Sequence, residues 1–102
     1  VKMNEFELEK AVSVRIGSLP FLWLKVEDAA GPTSIRRSIE RNSIGLLSNT
    51  NKVPIDPASA NWIGQYCAHP AVRASGLWNV DSTDAQCAPQ FLNELERLID
   101  AM

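Results

Sequence analysis

The sequence is poor in the residues that build metal clusters and disulfide frameworks, with one histidine and two cysteines among 102 residues. Cys67 and Cys87 do not form a CxxC pair, which favours reduced thiols over a structural disulfide. The histidine, His69, precedes Pro70, and this pairing is typical of a turn. The composition therefore does not indicate a metal centre built from cysteine and histidine.

Long apolar runs are also missing. No stretch approaches the 18 or so apolar residues of a membrane span, and the first ten residues, VKMNEFELEK, are too charged for a secretory signal. The formal charge of -2 excludes a uniformly basic nucleic-acid-binding protein, although a local basic patch remains compatible with it. We therefore expect a soluble, cytoplasmic protein without a membrane partner.

The length and the hydrophobic content of 45% suffice for one domain with a modest core and are too small for two. The first residue is Val1, which favours a truncated start over a native one. We expect residues 1–102 to be a single domain or the C-terminal part of one.

The hydrophobic pattern predicts three principal helices, at residues 5–16, 34–48 and 89–101. Residues 20–27, PFLWLKVE, are nearly continuously apolar and predict one buried strand. Between the last two helices, residues 50–88 are interrupted by prolines but contain Trp62, Tyr66 and Trp78, which indicates an irregular segment that packs down. Short helices near 59–66 and 71–74 are expected within it, and Asp81 and Asp84 are interpreted as turn residues. The predicted fold class is α/β (α+β), mostly helical.

A single buried strand cannot satisfy its own backbone hydrogen bonds. The strand at 20–27 therefore requires a small sheet, completed by upstream residues or by another copy of the chain. The unpaired strand and the amphipathic C-terminal helix both indicate a homo-oligomer as an alternative to a longer chain.

The helix predicted at 34–48 contains one acid, Glu40, which the 100° spacing of helical residues places between Ile44 and Leu47. A carboxylate among apolar side chains needs a partner or a chemical role, because burying it alone costs several kcal/mol. Arg36, Arg37 and Arg41 form a basic cluster around it that could bind nucleic acid. The competing interpretation is that Glu40 only forms surface ion pairs with Arg36 or Arg37.

The helix sequence SIRRSIERNSIGLLSN, which follows an apolar segment and a Gly-Pro loop, resembles the C-terminal half of a GIY-YIG nuclease domain. DPASANWIG at 56–64 and SGLWN at 75–79 are similar to segments of an uncharacterised bacterial branch of that family. The likeness covers most of residues 5–99. Neither a GIY triplet nor a Y-[IV]-G triplet occurs in the chain.

The resemblance implies a function for particular positions. Glu40 matches the metal-binding glutamate of the family, which holds a single divalent ion, Mg²⁺ or Mn²⁺, and Asn49 or Asn51 could match a supporting asparagine. The family's catalytic tyrosine and phosphate-binding arginine have no counterpart here. The implied function is the C-terminal portion of a metal-dependent DNA endonuclease, catalytically incomplete by itself. The alternative is a non-catalytic module for protein interaction or dimerisation.

Overall fold

The computed structural model describes residues 4–102, and all of the regular secondary structure in this range is helical. The helices are α1 (Glu5–Gly17), α2 (Ile35–Leu47), a short 3-10 helix (Ile63–Tyr66), α3 (Pro70–Ser75) and α4 (Phe91–Asp100). The three principal helices lie within two residues of their predicted ends. None of the helices in residues 4–102 is long and apolar enough to cross a membrane.

The predicted strand at 20–27 is wrong, and with it the α/β class and the small sheet, because residues 4–102 contain no strand. The segment is irregular, and three of its apolar side chains point to solvent: Leu22 is fully exposed, Phe21 is 83% exposed and Trp23 is 69% exposed. The residues of this segment have a preference for the strand conformation, but preference alone does not form a strand. A strand also needs a neighbouring strand that accepts and donates backbone hydrogen bonds. No other segment in the described part of the chain provides one.

The helix starts follow local capping chemistry. Asn4 Oδ1 accepts the Phe6 amide at the start of α1, and Ser34 Oγ accepts the Arg36 amide at the start of α2. His69 Nδ1 accepts the Ala71 amide at the start of α3, which gives the lone histidine a capping role. These bonds satisfy amides that have no partner inside the helix.

The loop at residues 81–88 runs back along α2 and contacts it at three points. Asn42 Oδ1 accepts the Ala88 amide at 2.7 Å, and Ser48 Oγ donates to the Thr83 carbonyl at 2.6 Å. Between them, Gly45 lies so close to Ala85 that an added Cβ would stand 2.5 Å from the Ala85 carbonyl oxygen. The loop at residues 81–88 is thereby held against one side of α2.

Few apolar side chains are buried. Val72 and Phe91 are the buried hydrophobic residues of the described chain, and α4 packs on α2 through the region around Phe91. Every residue of α1 is exposed. The Cα radius of gyration is 16.9 Å, whereas about 13 Å is usual for a compact domain of this length. The fold thus leaves much of its apolar surface without a covering layer.

Candidate functional site on the second helix

A groove of about 220 Å³ lies on the side of α2 that carries Glu40. One wall is formed by α2 and the other by the loop that follows residue 80. We call it the Glu40 groove, and it is lined by Arg37, Glu40, Arg41, Asp81 and Ser82. It brings together two carboxylates, two guanidinium groups and a hydroxyl within one depression.

Glu40 is exposed, so the expectation of a carboxylate held among apolar side chains is wrong. Its neighbour Leu47 is itself 44% exposed, which means that this face of α2 carries apolar residues without burying them. Spacing along a helix predicts which residues share a face but cannot predict whether that face is covered. In residues 4–102 no ion pair engages the Glu40 carboxylate.

Arg36 does not pair with Glu40, because its guanidinium is occupied elsewhere. Arg36 Nη1 donates to Asp28 Oδ1 at 2.8 Å, and Nη2 donates to the Val26 carbonyl at 2.6 Å. Arg36 therefore fastens the irregular segment before α2 to the first turn of the helix. Its predicted role in nucleic-acid binding would compete with these bonds.

Asp28 is the other half of this anchor. Its Oδ2 accepts the Ile35 amide at 2.7 Å, and its Oδ1 accepts the Ser34 hydroxyl at 2.9 Å. The hydrogen bond from the Ile35 amide, with further contributions from Ser34 and Arg36, lowers the pKa of Asp28 below its ordinary value.

Arg37 and Arg41 differ from Arg36 because their guanidinium groups have no ion-pair partner among the described residues. Both are exposed, both line the Glu40 groove, and no ion pair of either is found in residues 4–102. They lie four residues apart, which places them one above the other on the same face of α2. This arrangement suits an extended anion such as a phosphodiester backbone.

Sequence reasoning missed Asp81 and Ser82 as members of this groove. Ser82 has a φ of 64°, in the left-handed region that residues other than glycine and asparagine seldom adopt. The neighbouring Thr83 is buried, and its carbonyl is bound by Ser48. The turn predicted at Asp81 and Asp84 carries no sign of which helix it faces.

The predicted asparagines lie outside the Glu40 groove. Asn49 donates its backbone amide to the Ser75 carbonyl at 2.9 Å, and its buried Oδ1 has no hydrogen-bond partner within residues 4–102. Asn51 is exposed with a φ of 55° and lines a separate groove with Thr50 and Lys52. The structure therefore does not bring either side chain to Glu40.

The donor set of the groove suits a weak, open divalent-ion site. In residues 4–102 no group of three or more His, Cys, Asp or Glu side chains is arranged to hold a metal ion. One or two exposed carboxylates are nevertheless what Mg²⁺ commonly takes from a protein, since it keeps several waters and completes its shell with substrate phosphate. Glu40 and Asp81 fit that mode, and they do not form a closed cage.

A protein-family model described as "GIY-YIG domain" matches residues 1–102. No curated protein and no solved structure matches the chain significantly. The family comparison therefore extends over the whole sequence, including the helix that carries Glu40.

Proposed function

This chain belongs to the GIY-YIG domain family, and from that membership we propose that it forms part of a divalent-metal-dependent DNA endonuclease with Glu40 as its metal ligand. Membership supports a nuclease-like function in general. The observation that carries the finer proposal is the exposed Glu40 carboxylate in one groove with Arg37 and Arg41.

The residues of the groove divide the work of phosphodiester hydrolysis. Arg37 and Arg41 bind the DNA backbone and place a phosphate beside Glu40, since guanidinium groups match phosphate oxygens in charge and geometry. Glu40, with Asp81 across the groove, would hold Mg²⁺ or Mn²⁺, which when bound supplies charge neutralisation on the phosphate and a more acidic water.

The catalytic set proposed here is incomplete within the 102 residues. The sequence contains no GIY or Y-[IV]-G triplet, and its one tyrosine, Tyr66, does not line the Glu40 groove. We propose that the chain is the C-terminal half of the active domain, from a bacterial branch of the family, and that the tyrosine and the second arginine come from residues outside it.

The test is cleavage of supercoiled plasmid by the full-length protein that contains this chain, with Mg²⁺, with Mn²⁺ and with a chelator. We expect Glu40→Ala to abolish metal-dependent cleavage and to leave the fold intact, because the side chain is exposed. Glu96→Ala is the matched control, an exposed acid on α4 outside the groove. Cleavage by Glu40→Ala at the wild-type rate would refute the assignment.

A second candidate is a non-catalytic interaction module, which the many exposed apolar side chains favour. The two functions differ in the plasmid assay. A module that only binds would leave plasmid uncut under every metal condition, whether or not Glu40 is present.

A further inference from the structure

The loop wall of the Glu40 groove is bound to the end of α2 through a buried hydroxyl group. Ser48, the residue that follows α2, is 1% exposed, and its Oγ donates to the Thr83 carbonyl at 2.6 Å. The same Oγ accepts the Thr50 amide at 3.1 Å, so the hydroxyl is engaged both as a donor and as an acceptor. Thr83 is itself buried and lies two residues after Asp81. The hydrogen bond therefore links the helix of Glu40 to the segment of Asp81.

This bond restricts the position of Asp81 more closely than the other contacts of the loop. An extended chain spans at most about 3.5 Å per residue, so a fixed Thr83 keeps the Cα of Asp81 within about 7 Å of it. The other hydrogen bond between α2 and this loop in residues 4–102 joins Asn42 to the Ala88 amide, seven residues after Asp81. That bond alone would leave Asp81 a range of about 24 Å. The packing at Gly45 adds no hydrogen bond and lies farther along the loop than Thr83.

The residue between Asp81 and Thr83 has a backbone conformation that needs support. Ser82 has a φ of 64°, and such a conformation persists only where the surrounding structure holds it. The Ser82 carbonyl accepts the Ala85 amide at 3.1 Å, which closes a turn. The Thr83 carbonyl takes no part in that backbone bond and accepts the Ser48 hydroxyl instead. Ser48 thus supports the turn from outside, while Asp81 and Ser82 line the Glu40 groove.

We infer that Ser48 is a positioning residue, whose hydroxyl holds Asp81 where it shares one divalent ion with Glu40. The inference rests on the proposed function, in which these two carboxylates hold Mg²⁺ or Mn²⁺. Two carboxylates bind an ion more tightly than one when both are already in place, because ordering a loop on binding lowers the affinity. Ser48 is buried, so it acts through the loop that carries Asp81 and not on the ion itself.

The test is the affinity of the full-length protein for Mn²⁺ alone, measured from the electron paramagnetic resonance signal of the unbound ion. We expect Ser48→Ala to raise the Kd for Mn²⁺ about tenfold, a size typical of groups that position metal ligands. Ser75→Ala should keep the wild-type Kd. It is the matched control, because Ser75 is also fully buried but its hydroxyl bonds to Val72 and Leu77. Should Ser48→Ala not fold, Ser48→Cys tests the same bond, since a thiol is only a weak donor.

A double variant separates positioning from a general effect on the fold. With Asp81→Ala already present, Ser48→Ala should not change the Kd for Mn²⁺ further, because the carboxylate that it positions is gone. An equal loss of affinity in both backgrounds would overturn the inference, as would a wild-type Kd in either Ser48→Ala or Asp81→Ala.

Glu40→Ala tests the proposed function separately. A wild-type Kd for Mn²⁺ in Glu40→Ala would refute the metal-ligand assignment and the inference with it. Lost binding in Glu40→Ala together with a wild-type Kd in Ser48→Ala would refute the positioning role alone.

Discussion

At the scale of single residues, Asp28 and Arg36 form the anchor that sets where α2 begins. Asp28 accepts the Ile35 amide and the Ser34 hydroxyl and pairs with Arg36. The pKa of Asp28 is lower in the folded state than in the unfolded state. Asp28 therefore contributes stability that is fully present above the unfolded pKa, near 3.9. This stability is lost as the pH falls through the folded-state pKa of Asp28. We expect the wild-type Tm to fall below about pH 4 partly through this residue.

The variant Asp28→Asn checks this contribution. An amide cannot accept these bonds with the strength of a carboxylate, so we expect a lower Tm at pH 7 and a weaker dependence of Tm on pH between pH 5 and pH 3. Asp56→Asn, on an exposed loop, is the control. An unchanged Tm profile in Asp28→Asn would show that the anchor adds nothing to stability.

The three arginines of α2 are also distinguished residue by residue, by whether their guanidinium groups have a partner. Arg36 is bound to Asp28 and to the Val26 carbonyl, whereas Arg37 and Arg41 have no such partners among the described residues. We expect Arg37→Ala or Arg41→Ala to weaken DNA binding by the full-length protein on all sequences and to reduce the slope of log K against log salt by about 1. Arg36→Ala should instead lower Tm, because it removes the bonds to Asp28 and Val26. A wild-type salt slope in both Arg37→Ala and Arg41→Ala would rule out phosphate contacts by these two arginines.

At the scale of elements, the contact between Gly45 of α2 and Ala85 helps to hold the loop at residues 81–88 against α2. An added Cβ at Gly45 would stand 2.5 Å from the Ala85 oxygen and 3.0 Å from its carbonyl carbon, both backbone atoms. We expect Gly45→Ala to lower the free energy of unfolding by about 1–3 kcal/mol, although alanine favours a helix by about 1 kcal/mol. Gly17→Ala is the matched control, with no atom near its added Cβ, and urea unfolding of both variants is the measurement. Equal stability of the two would contradict the close contact.

The elements also show how far the sequence can be interpreted. Helices α1, α2 and α4 were predictable because their caps and their periodicity are local, as at Asn4 and Ser34. The irregular conformation of residues 20–27 was not predictable, since whether an apolar segment forms a strand depends on a partner that a local pattern does not reveal. Glu40 could be singled out from the sequence, but its exposure could not. Asp81 is brought to it by contacts between residues distant in sequence, such as the bond between Ser48 and Thr83.

At the scale of the whole molecule, the balance between buried and exposed apolar surface is the unusual property. Val72 and Phe91 are buried, while α1 and the segment that follows it expose Phe6, Ile16, Phe21 and Leu22. A domain of this length normally offsets the conformational entropy of folding by burying most of its apolar side chains. The described residues 4–102 do not, so much of their apolar surface has no covering layer.

The exposed apolar surface gives a last prediction. We expect Tm to rise with protein concentration if a second copy covers part of this surface, because mass action then stabilises the folded pair by about 1.4 kcal/mol of dimer for each tenfold increase. Scanning calorimetry over a hundredfold range of concentration measures this rise. A Tm independent of concentration would mean that a monomer tolerates the exposed apolar surface.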